Sequence, residues 1–155
     1  MMTLTSTQIG QLVAQFFLAG AGTLSFAVLF ACPKRTLPCC ALVGAVGWFV
    51  YELAVLYGAD AAAASLIAVI PLSLAARICA VLLKTPVTVF LLTGIFPLVP
   101  GAGIYYTAYY FLQGEQELFA SKGGETFKVA LALALGIALV CSLPLPGGHE
   151  GKRKS

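Results

Sequence analysis

Ile95-Phe96-Pro97-Leu98-Val99-Pro100-Gly101-Ala102-Gly103-Ile104-Tyr105 sets two prolines and two glycines inside a long apolar stretch. A proline has no backbone donor and its ring crowds the carbonyl one turn earlier, so Pro97 and Pro100 release the carbonyls of Thr93 and Phe96 from a regular helix. In hydrocarbon such groups need a substitute partner, which a neighbouring helix, a water-lined cavity or a bound solute supplies. The reading of this segment decides whether the apolar run is one plain helix or two half-helices meeting at a break.

The surrounding composition sets the class. Hydrophobic residues fill 60% of the 155 positions and charged residues only 10%, against about 25% charged in soluble domains, and the mean hydropathy is +0.96. An all-α integral membrane protein is expected. Crossing about 30 Å of hydrocarbon takes roughly 20 apolar residues, and five runs qualify, at 9–31, 38–57, 61–83, 86–112 and 127–145. They form one transmembrane domain over 1–147, followed by a basic tail at 148–155. The net charge is only +3 and no basic stripe carries interleaved aromatics, which argues against nucleic acid as a partner.

The basic residues report orientation instead. Lys34 and Arg35 follow the first run, Lys84 the third, and Lys152-Arg153-Lys154 the fifth. Lys and Arg accumulate on the cytoplasmic side, so the expected topology is N-out and C-in, with the Asp60 turn and a Gln113–Thr126 loop outside. The first apolar run is too long for the core of a cleaved leader, and it is expected to remain as a span. Five cysteines, without a CxxC pair or a histidine-rich partner pattern, point to small packing residues rather than a zinc site or a disulfide framework.

Small residues recur where helices can approach closely. Ala130, Ala134 and Ala138 stand at i, i+4 and i+8 with Ala132 and Gly136 alongside, a pattern that suits packing against a partner or a second copy. Glu52 and Arg77 are the charged residues set well inside the runs, Lys128 standing at the edge of the fifth, and such groups are functional candidates by default, for coupling or for pairing. Rise arithmetic puts Glu52 about 8 Å from the outer boundary and Arg77 about 10 Å from the inner one, so each needs its own partner. Pro71 is expected to kink the third span.

From Pro86 the Pro97–Pro100 pair is reached after about 17–21 Å, near the midplane. If the fourth span is broken there, a second half-helix starts near Gly101. Its free amides at Gly101, Ala102, Gly103 and Ile104 then form a positive helix end suited to a carboxylate. Discontinuous helices of this kind bind small charged solutes in many secondary transporters. The candidate substrate-binding residues are Pro97, Pro100, Gly101, Ala102, Gly103 and Tyr105. Tyr106, Tyr109 and Tyr110 are expected in the outer interfacial belt, and His149 in solvent.

The arrangement Lys84-Thr85-Pro86, about ten apolar residues, then Ile95-Phe96-Pro97-Leu98-Val99-Pro100-Gly101 with Tyr105 four residues on, resembles the threonine/serine exporter family. It looks like that family's second membrane domain, which also occurs as a separate small subunit, one of them in a two-component succinate exporter. The resemblance implies export of small carboxylate-bearing metabolites across a bacterial inner membrane. It also implies a larger membrane subunit carrying the other transmembrane half, with Pro97, Pro100, Gly101 and Tyr105 the positions carried over.

Two other classes stand against this expectation. An intramembrane hydrolase needs an HExxH motif, a pair of acids or a nucleophile with its base, and the chain holds one aspartate, Asp60, and one histidine in its tail. No catalytic residue, metal or cofactor is therefore expected. The alternative is a non-transporting assembly or scaffold subunit of a membrane complex.

Overall fold

The computed structural model describes residues 6–143, and among these the chain is helical with no strand. Residues 144–155, where the basic tail, His149 and the end of the expected fifth span fall, lie outside the described residues. The helices are α1 (Ser6–Leu29), α2 (Leu37–Leu56), α3 (Ala61–Leu83), α4 (Val87–Gly94), α5 (Gly101–Gln113) and α6 (Gln116–Ser142). Short 3-10 turns occupy Lys34–Thr36 and Phe96–Leu98. Four helices, α1, α2, α3 and α6, are long and apolar enough to cross a membrane, and the α4–α5 pair raises this to five if it forms one span.

Each chain reversal has a local cause. Ala31 takes a positive φ of 53° after α1, so that the Cys32 amide reaches back to the Ala27 carbonyl at 3.0 Å and closes the helix end. Gly58 (φ 89°) and Gly114 (φ 75°) hold the left-handed positions that end α2 and α5, where a side chain would be strained. Asp60 caps α3, its carboxylate accepting from the Ala63 amide at 3.4 Å. Lys84 (φ 49°) and then Pro86 stop α3 and start α4.

Helices α1, α2, α3 and α6 pack in that order, α4 wedges against α2 and α3, and α5 lies on α6. The core runs through Val43, Val69, Leu72 and Phe90, all fully buried. The seams close through glycines. Gly44 receives Thr23, Gly47 receives Leu72, Gly94 receives Val43 and Gly136 receives Val69, so a Cβ at any of the four would collide with its neighbour. Large apolar side chains such as Phe17, Leu18, Leu82 and Leu112 point outward, which suits a hydrocarbon surround rather than water.

One expectation needs correction. The Gln113–Thr126 segment is not a loop, because α6 begins at Gln116 and continues through Gly123 and Gly124. Helix formation there is assisted by the Lys122–Glu125 pair at 2.8 Å, three residues apart on one face. Pro71, expected to kink the third span, lies inside α3, which continues on both sides of it. The face of α6 that packs inside the chain is Val129, Leu133, Gly136 and Val140, while Ala130, Ala134 and Ala138 are exposed.

The cysteines are also less dispersed than their spacing suggests. Cys40 and Cys79 belong to the core and Cys32 and Cys39 pack against it, with Cys32 beside Cys40 and Cys79 beside Cys39.

Candidate functional site

The break between α4 and α5 follows from its two prolines. Pro97 enters the 3-10 turn at a position that needs no donor. Pro100 forces the residue before it into an extended conformation, and Val99 sits at φ −64°, ψ 128°. The helix cannot pass through that residue and restarts at Gly101, with the two axes bent by 60°.

The turn satisfies more of its own backbone than its sequence suggests. The Leu98 amide donates to the Ile95 carbonyl at 2.8 Å, and the Val99 amide reaches the carbonyls of Ile95 at 3.1 Å and Phe96 at 3.2 Å. The Phe96 carbonyl is therefore not released, in contrast to Thr93, whose carbonyl keeps no donor among the described residues. Of the four amides expected to be free, Gly101 donates to the Val99 carbonyl at 2.7 Å and Ile104 to the Pro100 carbonyl at 3.0 Å. Ala102 and Gly103 retain unpaired amides among the described residues, since Pro100 offers no side-chain cap.

Three grooves adjoin the break. The largest, about 880 Å³, runs between α5 and α6 and is walled by Ile95, Val99, Pro100, Ile104, Phe127 and Leu133, with little polar surface. A second, about 480 Å³, lies between α1, α2 and the turn and touches Pro97. The third, about 350 Å³, gathers Pro100, Ala102, Gly103, Tyr106, Lys122 and Glu125.

The third groove is lined by the two residues with unpaired amides, by the Lys122–Glu125 pair and by three hydroxyls, because Tyr110 and Thr126 also belong to it. A positive helix end adjoins an ion pair there, so Lys122 meets this volume already partnered by Glu125. Ala61, the first residue of α3, bounds the same groove. The amide end thus lies level with the N-terminus of α3, whereas Pro97 sits beside Trp48, near the middle of α2.

The two glycines of the break differ in role. A Cβ on Gly103 would collide with the Thr126 side chain, so this glycine lets α5 approach α6. A Cβ on Gly101 would meet nothing within 4 Å. Gly101 and Tyr105 line none of the three grooves. Tyr105 is exposed and stacks on Tyr109 at 6.4 Å.

Sequence reasoning passed over Tyr106, Tyr110, Lys122 and Glu125. A signal existed, since Ala102, Tyr106 and Tyr110 stand at i, i+4 and i+8 and share one helix face. Lys122 and Glu125 were masked by the reading of their segment as a loop.

Arg77 and Glu52 do not meet. The Arg77 guanidinium donates to the carbonyls of Val140 and Leu143 at the end of α6. A cation there offsets the negative helix end. Glu52 is half-buried on α2 and has no ion pair or hydrogen bond among the described residues.

Long apolar helices, outward-facing leucines and phenylalanines and glycine-closed seams define a multi-pass helical membrane protein. Within that class the chain belongs to the threonine/serine exporter family, because the family described as "Threonine/Serine exporter, ThrE" matches residues 15–143. The family is one of transporters, and this chain is a membrane component of that kind. No curated protein and no solved structure matches the chain.

Proposed function

We propose that this chain is the membrane subunit of a secondary exporter that moves small carboxylate-bearing metabolites, threonine and serine or a dicarboxylate such as succinate, out of a bacterial cytoplasm. The observation that carries the reading is the pair of unpaired amides at Ala102 and Gly103, opening on a groove that also holds Lys122. A carboxylate there accepts from both amides and competes with Glu125 for the Lys122 ammonium, while Pro97 and Pro100 keep the helix from closing over the site. The α4–α5 pair then acts as one broken span, with Pro97 near the middle and the amide end toward the outer side. An N-out, C-in arrangement in the inner membrane agrees with the positions of Lys34, Arg35 and Lys84. A larger membrane subunit completes the transport unit.

Efflux of a labelled substrate from cells carrying both subunits tests this. Pro97→Ala restores a donor toward Thr93, and Gly101→Leu adds bulk beside the amides without a clash inside the chain. Both should lower efflux at least tenfold while insertion persists. Wild-type efflux in both variants would reject the site.

A second reading, a non-transporting assembly subunit, draws on the exposed Ala130, Ala134 and Ala138 face of α6. Under it the same variants would leave efflux intact, and bulk at Ala134 would disrupt the complex.

A further inference from the structure

The groove between α1, α2 and the break takes no part in the site above, yet it is the one with an oriented side-chain amide in its wall. Gln15, Ala19, Gly22, Trp48, Phe96 and Pro97 line it. The Trp48 indole Nε1 donates to Gln15 Oε1 at 2.6 Å. An indole nitrogen can only donate, so the bond fixes which way the amide is turned: its oxygen faces Trp48 and its NH2 faces away. The two amide hydrogens have no partner among the described residues.

The rest of the wall is apolar or aromatic. Phe96 stacks on Phe26 at 4.1 Å, which ties α1 to the turn, and Trp48 stacks on Tyr51 at 5.3 Å, which holds the indole in place. Gly22, two turns from Gln15 on α1, leaves the backbone bare, since a Cβ there would meet nothing within 4 Å. The amide NH2 of the half-buried Gln15 is thus available to an acceptor entering the groove. Few convergent polar groups in an otherwise apolar concavity are what a small-molecule site requires.

We propose that this groove is a second solute site, in which the Gln15 amide donates to a carboxylate oxygen of the transported metabolite and Trp48 and Phe96 cover its carbon skeleton. The inference rests on the exporter reading for the class of solute, but not on the amides of Ala102 and Gly103. The two grooves share no lining residue and touch different parts of the turn, this one Phe96 and Pro97 and the other Pro100. Glu52, one helical turn beyond Trp48, does not line the groove and has no part in the site.

Trp48 is the chain's single tryptophan, so its emission reports directly from the wall of the groove. The full-length chain in lipid nanodiscs, titrated with L-threonine, L-serine and succinate, should show a saturable change in emission with at least one of them. Gln15→Glu keeps an oxygen for the indole and replaces the NH2 donors, so it should leave the unliganded emission in place and weaken the apparent affinity at least tenfold. Gln15→Met, of similar size and without donors, serves if the glutamate variant fails to insert.

An absent response to all three solutes, or equal affinity in wild type and variant, overturns the site. So does quenching by brominated acyl chains that no solute relieves, because a lipid chain then fills the groove. Efflux that is sensitive to Pro97→Ala and Gly101→Leu, together with a silent Trp48, keeps the exporter reading and rejects this second site.

Discussion

Arg77 on α3 donates through its guanidinium to the carbonyl of Val140 on α6, 63 positions later in the chain. The same group reaches Leu143, so one side chain closes the end of the last described helix. Hydrogen bonds to charged groups contribute about 1.5–3 kcal/mol each net of competition with water, and part of this group is exposed. Arg77→Met is therefore expected to lower stability by about 2 kcal/mol, and Arg77→Lys by less, because an ammonium still faces the helix end. Thermal unfolding midpoints in one detergent check this. An unchanged midpoint in Arg77→Met would mean that the carbonyls find other donors.

Lys122 is expected to matter to binding and little to folding. Its pair with Glu125 spans three residues on a solvent-accessible face, where such pairs contribute little. Lys122→Gln should reduce affinity for a carboxylate-bearing solute several-fold and leave the melting temperature within error. Equal weakening for an amide analogue lacking the carboxylate would show that the ammonium is not meeting that group.

The seam glycines give a contrast within one residue type. Gly136→Val drives a branched side chain against Val69, and overpacking of this sort costs about 1–3 kcal/mol. Gly101→Ala meets open space in a helical position and is expected to be neutral or stabilising by up to about 1 kcal/mol. Denaturant midpoints of the two variants should shift in different directions or by clearly different amounts.

Topology is checked by labelling. A cysteine placed ahead of α1 should react with an impermeant reagent from outside intact cells, and one at Lys34 only after permeabilisation. Reaction of both from the same side would exclude the N-out arrangement.

Cys32 offers a pH readout at the turn between α1 and α2. Burial, reinforced by the neighbouring Cys40 thiol, pushes its thiol above the ordinary range. The thiolate is the reactive form, so a raised value leaves less of it at neutral pH. Alkylation of Cys32, followed by peptide mass spectrometry, should be slower at neutral pH than for a free thiol, and its rate should keep rising with pH after that of the free thiol has levelled off.

The apolar runs were legible because a span must supply some 20 apolar residues whatever else it does. Helices α1, α2 and α3 begin and end within a few residues of the expected limits. The interruption at Pro97 and Pro100 was legible for a similar reason, since a proline acts on the backbone irrespective of its neighbours. What stayed hidden depends on tertiary placement. Whether Tyr105 or Tyr106 shares a groove with Ala102 is a matter of which helix face meets α6. The start of α6 at Gln116 was obscured by Gly123 and Gly124, whose weak helix propensity is overridden once α5 packs alongside. The bond between Gln15 and Trp48 joins residues 33 apart, beyond the reach of any local pattern.

Helix α5 has no buried residue, and its main packing partner is α6 alone. Such a segment draws much of its positional restraint from whatever surrounds it, so the tilt of α5 against α6 is expected to respond to the thickness and curvature of the surrounding film. Both grooves that α5 walls change shape with that tilt. Bilayer thickness is thereby a control variable for this protein, and solute affinities taken in short-chain and long-chain phospholipids should not agree.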